Sequence, residues 1–280
     1  MVCFSELLSE MPSAPPSSSA ALRSSSVYSG VIDKPITHND RFRGGKRISA
    51  LGQVTDDTEM TVALARVVAR GGYRRQDALA EYLRWANSSC PFLGKNTRAL
   101  FYGVKTEKGY ARRVANAAKD PISEGNGCLM RATPLAVLRG WAKAAVEDCK
   151  LSNDTSNCIN AVRAQVCAVR ALLQGRSPED ATTLAITTID ENKADSPVRA
   201  AVEDGRHQAA RVISGKDKGW VIHGLYCAFL ALHMSPSLGF AGRIDAIIRL
   251  GGDTDTNAAI AGGMLGVAMG RGAMLAEPRT

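Results

Sequence analysis

Residues 55–72 read TDDTEMTVALARVVARGG, and this stretch has the signals of one complete helix. Its apolar residues Met60, Leu64, Val67 and Val68 recur at the spacing of a single helical face. Hydroxyl and carboxylate groups stand at its start, where helices favour caps and negative charge, and two glycines stand at its end. The stretch therefore predicts an amphipathic helix that begins at an acidic cluster.

Most of the chain after residue 55 continues this helical pattern. Residues 221–233 are apolar on nearly all sides, which is typical of a buried helix. Ser177-Pro178 and Ser196-Pro197 each place a capping hydroxyl directly before a proline, which favours a helix start. Because we find no convincing alternating strands and no internal repeat, we predict an all-α fold with one compact multi-helix domain. Further apolar helical stretches lie within residues 79–86, 159–173, 240–248 and 258–268.

Composition narrows the class of protein. The chain has 280 residues, of which 45% are hydrophobic and 22% charged, so it can bury a substantial core. Residues 1–30 include a Ser- and Pro-rich stretch that we expect to lack fixed structure, and residues 31–275 are expected to form the domain. The net charge of +8 comes from scattered Lys and Arg, and no apolar run reaches the roughly 18 residues of a spanning helix. We therefore expect neither a nucleic acid nor a membrane as partner.

The cysteines and histidines indicate the cellular compartment. The seven cysteines show no CxxC pairing, and the four histidines have no ligand spacing with them. We expect free thiols and a reducing cytoplasmic location. We also expect the protein to be a monomer. Organelle targeting by the Ser-rich N-terminus stays open, although Glu6 and Glu10 argue against it.

A second acidic cluster, Gly251-Gly252-Asp253-Thr254-Asp255-Thr256-Asn257, lies almost two hundred residues after the first. Carboxylates beside hydroxyls are the hard oxygen donors that Mg²⁺ prefers, and one ion needs about six of them. If the fold joins the clusters, they supply donors for one ion or, with waters, two. The alternative is that each cluster merely caps a helix. The candidate ligands are Thr55, Asp56, Asp57, Asp253, Asp255 and Thr256.

A third motif lies between the two clusters. Residues 123–131 read SEGNGCLMR, with one Asn between two glycines just before a predicted helical run. Such a segment offers free backbone N–H groups to an anion such as phosphate. An ordinary Gly/Asn turn would explain the same residues.

In their order and separation, the three motifs resemble those of the ADP-ribosylglycohydrolase family over roughly residues 45–270. Gly94-Lys95-Asn96-Thr97 and Gly219-Trp220-Val221 resemble further segments of that family. The resemblance implies an all-α fold with two Mg²⁺ ions, or Mn²⁺ in their place. It also implies hydrolysis of the N- or O-glycosidic bond that links ADP-ribose to a protein side chain or small acceptor.

The resemblance also assigns roles to residues. The six candidate ligands above would hold the metal, and Trp220 would lie against the sugar or base of the substrate. Asp56 or Asp57 would act as the catalytic carboxylate, which stabilises charge or takes a proton from water; the residues leave the choice between them open. The segment that would cradle the phosphates and distal ribose comprises Ser123, Glu124, Gly125, Asn126 and Gly127.

Two departures from the family pattern favour an alternative function. Asn153 stands where members usually have a substrate-contacting His; it keeps hydrogen-bonding groups but does not titrate near neutrality. The family's N-terminal Gly-Asp-Ala-Leu-Gly helix has no match here. In the family a loop follows that helix; the loop-like equivalent here is residues 30–45, whose acidic residues are Asp33 and Asp40. The alternative is a catalytically impaired relative that binds ADP-ribose, with Asn153 still contacting it.

Overall fold

A computed structural model describes residues 54–88, 93–117, 124–189, 196–213, 215 and 217–275. Residues 1–30, Asp33, Asp40 and Ser123, about which the sequence made predictions, lie outside these ranges. Within the described ranges the chain forms α-helices and short 3₁₀ turns without a strand, which confirms the all-α prediction. The helices are α1 (Asp56–Ala69), α2 (Arg75–Ala86), α3 (Lys95–Phe101), α4 (Glu107–Ala117), α5 (Trp141–Cys149), α6 (Ser156–Leu173), α7 (Pro178–Thr187), α8 (Pro197–Arg206), α9 (Val221–His233), α10 (Gly239–Arg249) and α11 (Thr254–Leu275).

Helix α1 has the bounds that its sequence indicated. It begins after Thr55, and its predicted apolar face is buried. Gly71 and Gly72 follow its last turn with φ of 114° and 116°, a conformation that residues with a Cβ rarely adopt. The acidic cluster is thereby fixed at the N-terminal end of a helix that packs into the core.

Helix α9 forms the centre of the molecule, and small residues let its neighbours approach closely. All of its residues except His223 and His233 are buried. A Cβ on Gly224 would lie 2.7 Å from Cδ1 of Ile260 in α11, and one on Gly205 in α8 would lie 2.8 Å from the backbone N of Leu230. This close packing brings the start of α11, and with it the second acidic cluster, beside the middle of the fold.

Two predictions about helical runs are wrong. The last helix is longer than residues 258–268, because it begins inside the second acidic cluster and continues to Leu275 across a break at Gly270. The run expected after Gly127 is not an α-helix but a pair of 3₁₀ turns, Asn126–Cys128 and Thr133–Val137. The guanidinium of Arg131 donates to the Gly127 carbonyl at 2.5 Å. That carbonyl would otherwise accept the i+4 bond of an α-helix.

The same Arg131 belongs to a buried polar network that supports the turns. Its side chain and that of Asp148 are each only 1% exposed, and Arg131 Nε lies 2.9 Å from Asp148 Oδ2. The Tyr82 hydroxyl donates to the other Asp148 oxygen at 2.9 Å. Because buried charges are tolerated only when paired and hydrogen-bonded, this network ties α2, α5 and the turns together.

Within the described residues, no single helix is long and apolar enough to cross a membrane. One bent pair, Val221–His233 with Pro236–Arg249, meets that test by length and composition.

Candidate functional site

One cleft of about 1020 Å³ brings the three motifs together. Asp56 comes from the first acidic cluster, and Asp253, Asp255 and Thr256 come from the second. The third motif forms another wall, together with Asn153 and Trp220. The sequence motifs that stand far apart in the chain therefore line one cavity.

In the first cluster, the Thr55 side chain does not cap helix α1. Thr55 is extended and makes no side-chain capping bond; instead its hydroxyl donates to Asp57 Oδ2 at 2.8 Å. Asp57 is 3% exposed, whereas Asp56 is half-buried and accepts the Gly94 N–H at 3.3 Å. Simple helix capping therefore does not explain Thr55. Asp56 lines the cleft, and Asp57 lies among the buried residues beside it.

The second cluster is shaped by two glycines with positive φ, 82° at Gly251 and 75° at Gly252. A Cβ on Gly252 would lie 2.3 Å from the Ile213 carbonyl oxygen, so only glycine fits there. The following Asp253 is held from across the cleft, where its Oδ2 accepts from the Asn126 side-chain amide at 2.8 Å. This contact links the second cluster directly to the third motif.

The clustered carboxylates lie in a strongly negative environment. Burial, then the charge of Asp56, raises the pKa of Asp57 to about 7. Burial, then the charges of Asp57 and Asp253, holds the pKa of Asp255 well above its usual range. Burial also raises the pKa of Asp56. Among the described residues, no Lys or Arg forms an ion pair with any of these acids.

The donor chemistry of the two clusters suits a hard divalent cation. Asp57 Oδ1 is buried without a hydrogen-bond partner among the described residues. Burial, and then repulsion between the acids, raises the pKa of Asp57 and of Asp255, and a bound cation would offset both effects. Across the described ranges, however, no group of three or more His, Cys, Asp and Glu side chains is already arranged to hold a metal ion. The two clusters thus supply oxygen donors and negative charge that suit such an ion.

Asn257 is a polar residue of this region to which the sequence reasoning gave no role. It is fully buried, and neither atom of its side-chain amide has a hydrogen-bond partner among the described residues. Its amide nitrogen lies 3.6 Å from a Cβ placed on Gly252. The sequence feature that could have identified Asn257 is its position at the end of the second cluster.

The backbone of the third motif is held by the segment before α9. Asn126 N–H donates to the Gly219 carbonyl at 2.9 Å, and Val221 N–H donates to the Glu124 carbonyl at 2.8 Å. Gly125 and Trp220 thereby form an isolated antiparallel bridge. Of the backbone N–H groups that this segment was expected to offer to phosphate, that of Asn126 is already bonded.

Glu124 was expected to help cradle the phosphates, but its carboxylate has other contacts. It accepts the indole N–H of Trp220 at 2.9 Å and the Asn157 amide at 3.0 and 3.2 Å. A carboxylate would repel a phosphate, whereas here it fixes the Trp220 ring, which also meets the His223 ring edge-on at 5.4 Å. Sequence reasoning missed Asn157, since its partner lies 33 residues away.

Asn153 lines the cleft although only 1% of its surface is exposed. Its backbone N–H donates to the Cys149 carbonyl at 2.9 Å, and its own carbonyl accepts the Thr155 N–H at 3.1 Å. These bonds fix the residue at the end of α5.

The cysteines among the described residues are free thiols, as predicted.

Three cations at the cleft were not anticipated. Lys95 and Arg98 on α3 and Lys218 before α9 line it together with the acids. The only available sequence signal was the net charge of +8, which does not locate individual residues. These cations lie in the same cavity as the acidic clusters, so the cleft carries both signs of charge.

Comparison with known proteins shows which family the chain resembles. The family model for ADP-ribosylglycohydrolase matches residues 17–278. The ADP-ribosylarginine hydrolase Tri1 of Pseudomonas putida (strain GB-1) is 24% identical over 253 residues, and the match covers 85% of this chain and 65% of that protein. The chain therefore spans less than two thirds of that relative's length.

A solved structure described as an ADP-ribosylglycohydrolase-related protein complex has the same fold. It superposes with a TM-score of 0.69 at 25% identity, covering 91% of this chain and 85% of the other. The family match begins at residue 17, so it extends further toward the N-terminus than the three motifs indicated. Since that match spans nearly the whole chain, the protein belongs to the ADP-ribosylglycohydrolase family.

Proposed function

We propose that the protein is a Mg²⁺-dependent hydrolase that cleaves the glycosidic bond between ADP-ribose and an acceptor. The observation that supports this most is the meeting of both acidic clusters, the Gly125–Gly127 segment and Trp220 in one cleft. A ligand with a diphosphate, two riboses and a base requires charged, polar and flat surfaces side by side, and this cleft offers all three. Family membership points to the same chemistry.

The proposed metal ligands are the six residues named from the sequence. Bound there, Mg²⁺ or Mn²⁺ would act as a Lewis acid and neutralise charge beside the reacting sugar. The fit rests on the oxygen donors, the unpaired Asp57 Oδ1 and the absence of a compensating ion pair among the described residues. The ligand set is Thr55, Asp56, Asp57, Asp253, Asp255 and Thr256.

Asp56 and Asp57 take different parts in this proposal. Asp56 lines the cleft, where its carboxylate can stabilise positive charge at the anomeric carbon or accept a proton from the attacking water. Asp57 is buried and bonded to Thr55, so it supports the site rather than meeting the substrate. Trp220 offers a ring held by Glu124, against which the sugar or base packs.

The acceptor is proposed to be arginine, because the curated relative is described as an ADP-ribosylarginine hydrolase. The test is release of ADP-ribose from ADP-ribosylated arginine, with serine-linked and acetyl-linked ADP-ribose as alternative substrates. We expect release that requires Mg²⁺ or Mn²⁺ and is lost in Asp56→Asn. Glu147, which is half-buried on α5 and pairs with the exposed Lys143 outside the cleft, gives a matched control, Glu147→Gln, which should leave turnover unchanged. A folded parent that turns over none of these substrates contradicts the proposal.

One observation favours the second candidate, an ADP-ribose-binding relative with impaired turnover. Asn153 occupies the cleft where the family pattern has an ionisable His. Tight binding of ADP-ribose without release from any of the three substrates would support this alternative. Turnover that rises when Asn153→His is introduced would show that Asn153 limits the reaction.

A further inference from the structure

A second pocket, of about 410 Å³, lies between the loop after α3 and helix α4. Three of its lining residues, Lys105, Arg112 and Arg113, are cations, and no Asp or Glu is among the described residues that line it. We define this cavity as the cationic pocket. The proposed reaction does not use this pocket, and none of the three sequence motifs contributes a residue to it.

The cationic pocket is built by close packing of α4 on the preceding loop. A Cβ on Gly109 would lie 3.3 Å from both Thr106 Oγ1 and Val104 Cγ1, so glycine lets the helix approach the loop. Tyr110 is the one buried residue of α4, and its hydroxyl donates to the Leu151 carbonyl at 2.7 Å. With a single anchor, the rest of α4 presents its side chains to solvent.

The charges in the cationic pocket are uncompensated by the described residues. None of the ion pairs there includes Lys105, Arg112 or Arg113; the nearby Glu107 instead faces Arg75 at 3.8 Å. Arg113 makes one long bond, to the Ala99 carbonyl at 3.4 Å. Because the three cations line one cavity, an anion that enters it would be attracted by all of them.

The cationic pocket adjoins the main cleft. The Arg113 guanidinium donates to the carbonyl of Ala99 in α3. Arg98, the residue before Ala99, lines the main cleft. A macromolecule whose modified side chain enters the cleft would therefore meet the pocket with residues a short distance along its own chain. A small acceptor would not reach both.

We propose that the cationic pocket docks an acidic segment of the protein that bears the ADP-ribose group. This inference rests on the proposed function, and it adds a determinant of substrate choice. Free phosphate fits less well, because the Gly109 N–H already donates to Thr106 Oγ1 at 3.1 Å instead of pointing outward. Nucleic acid fits less well too, because the described residues that line the pocket include no aromatic side chain on which a base could stack.

The binding test uses the full chain and a fluorescein-labelled peptide of ten glutamates, followed by anisotropy. Arg112→Glu with Arg113→Glu should weaken binding at least tenfold, equivalent to about 1.4 kcal/mol, and salt should weaken binding to the parent. Arg139→Glu with Arg176→Glu changes net charge equally at exposed sites elsewhere, and should change affinity by much less. No peptide binding by the parent, or equal loss in both variants, overturns the proposal. So does pocket-dependent binding of duplex DNA without binding of the peptide.

The activity test compares two substrates. For an ADP-ribosylated protein with acidic residues beside the modified side chain, KM should rise about tenfold in the pocket variant while kcat changes little. For free ADP-ribosylated arginine, both constants should match the parent. Equal effects on both substrates overturn docking. A parent that cleaves neither substrate refutes the proposed function, and the peptide anisotropy then decides the pocket separately.

Discussion

At the scale of single residues, burial has the largest effect on the pKa values of the acidic side chains. Asp57 is 3% exposed and has a pKa of about 7, far from its ordinary 3.8, because burial and Asp56 both oppose its charge. The carboxylates of the two clusters were recognisable in the sequence. Their different depths were not, since Asp56 and Asp57 are neighbours with the same chemistry, and only the tertiary packing separates them.

The raised pKa of Asp57 predicts a specific dependence of stability on pH. The folded state holds this proton more tightly than the unfolded state, so stability falls as pH rises from about 3.8 to about 7. In EDTA, the Tm of the parent should fall more than that of Asp57→Asn over this range. Thermal unfolding monitored by circular dichroism measures both. Parallel profiles for parent and variant would show that Asp57 is ionised without penalty.

Glu124 shows that residue type alone does not identify the partners of a side chain. The sequence placed it in a phosphate-binding segment, whereas its carboxylate accepts from Trp220 and Asn157. Both partners are distant in the chain, so no local pattern predicts these bonds. The contact with Trp220 gives the ring a fixed orientation at the cleft.

Removal of the Trp220 ring should weaken ADP-ribose binding by about 1–3 kcal/mol if a sugar or base packs on it. Trp220→Phe keeps a ring but loses the N–H bond to Glu124, so it should lose less affinity than Trp220→Ala. Isothermal titration calorimetry gives the three affinities. Trp141→Phe on α5, outside the cleft, is the control and should bind like the parent. Unchanged affinity in Trp220→Ala would remove the ring from the binding site.

At the scale of elements, patterns of several residues predicted the helices well. Residues 221–233, α9, have the predicted bounds, because a run that is apolar on all sides fits only a buried helix. The Ser177 side chain caps α7 as its motif indicated, accepting from the Asp180 N–H. The segment after Asn126 was mispredicted, because a single long-range pair, Arg131 with Asp148, competes with local helix bonding.

The two glycines before Asp253 predict a contrast between neighbouring substitutions. Both have positive φ, so alanine at either costs about 1–3 kcal/mol of backbone strain. Gly252→Ala also forces its Cβ onto the Ile213 carbonyl, whereas Gly251→Ala meets no atom within 4 Å. Urea denaturation should therefore show a greater loss of stability in Gly252→Ala. Equal losses would mean that the Ile213 segment moves away without cost.

At the scale of the whole molecule, the buried Arg131–Asp148–Tyr82 network joins α2, α5 and the cleft wall. Arg131→Met leaves the Asp148 carboxylate buried without its cation, which should cost about 3–5 kcal/mol. Adding Asp148→Leu removes that uncompensated charge and should recover a large part of the loss. Urea denaturation measures the free energy of unfolding in each case. A double variant as unstable as Arg131→Met would show that packing, not charge, determines the effect.

The whole-molecule arrangement also shows what sequence reasoning can reach. The motifs predicted that both acidic clusters would meet, and the cleft brings Asp56 beside Asp253 and Asp255. The Asn126 bond to Asp253 and the cationic pocket were not predictable, because each depends on how separate elements pack. The sequence positions of scattered cations do not predict which cavities these residues line.

The central claim is that the two acidic clusters form one metal-dependent site for ADP-ribose. The most direct measurement is the Tm of the parent, and of Asp253→Ala with Asp255→Ala, with Mg²⁺ and ADP-ribose added separately and together. A ligand that binds only the folded state raises the Tm, by about 2.7 kcal/mol of stability at one hundred times its Kd. We predict a shift in the parent that is largest with both ligands, and no such shift in the double variant. A parent whose Tm neither ligand raises, alone or together, would contradict the claim.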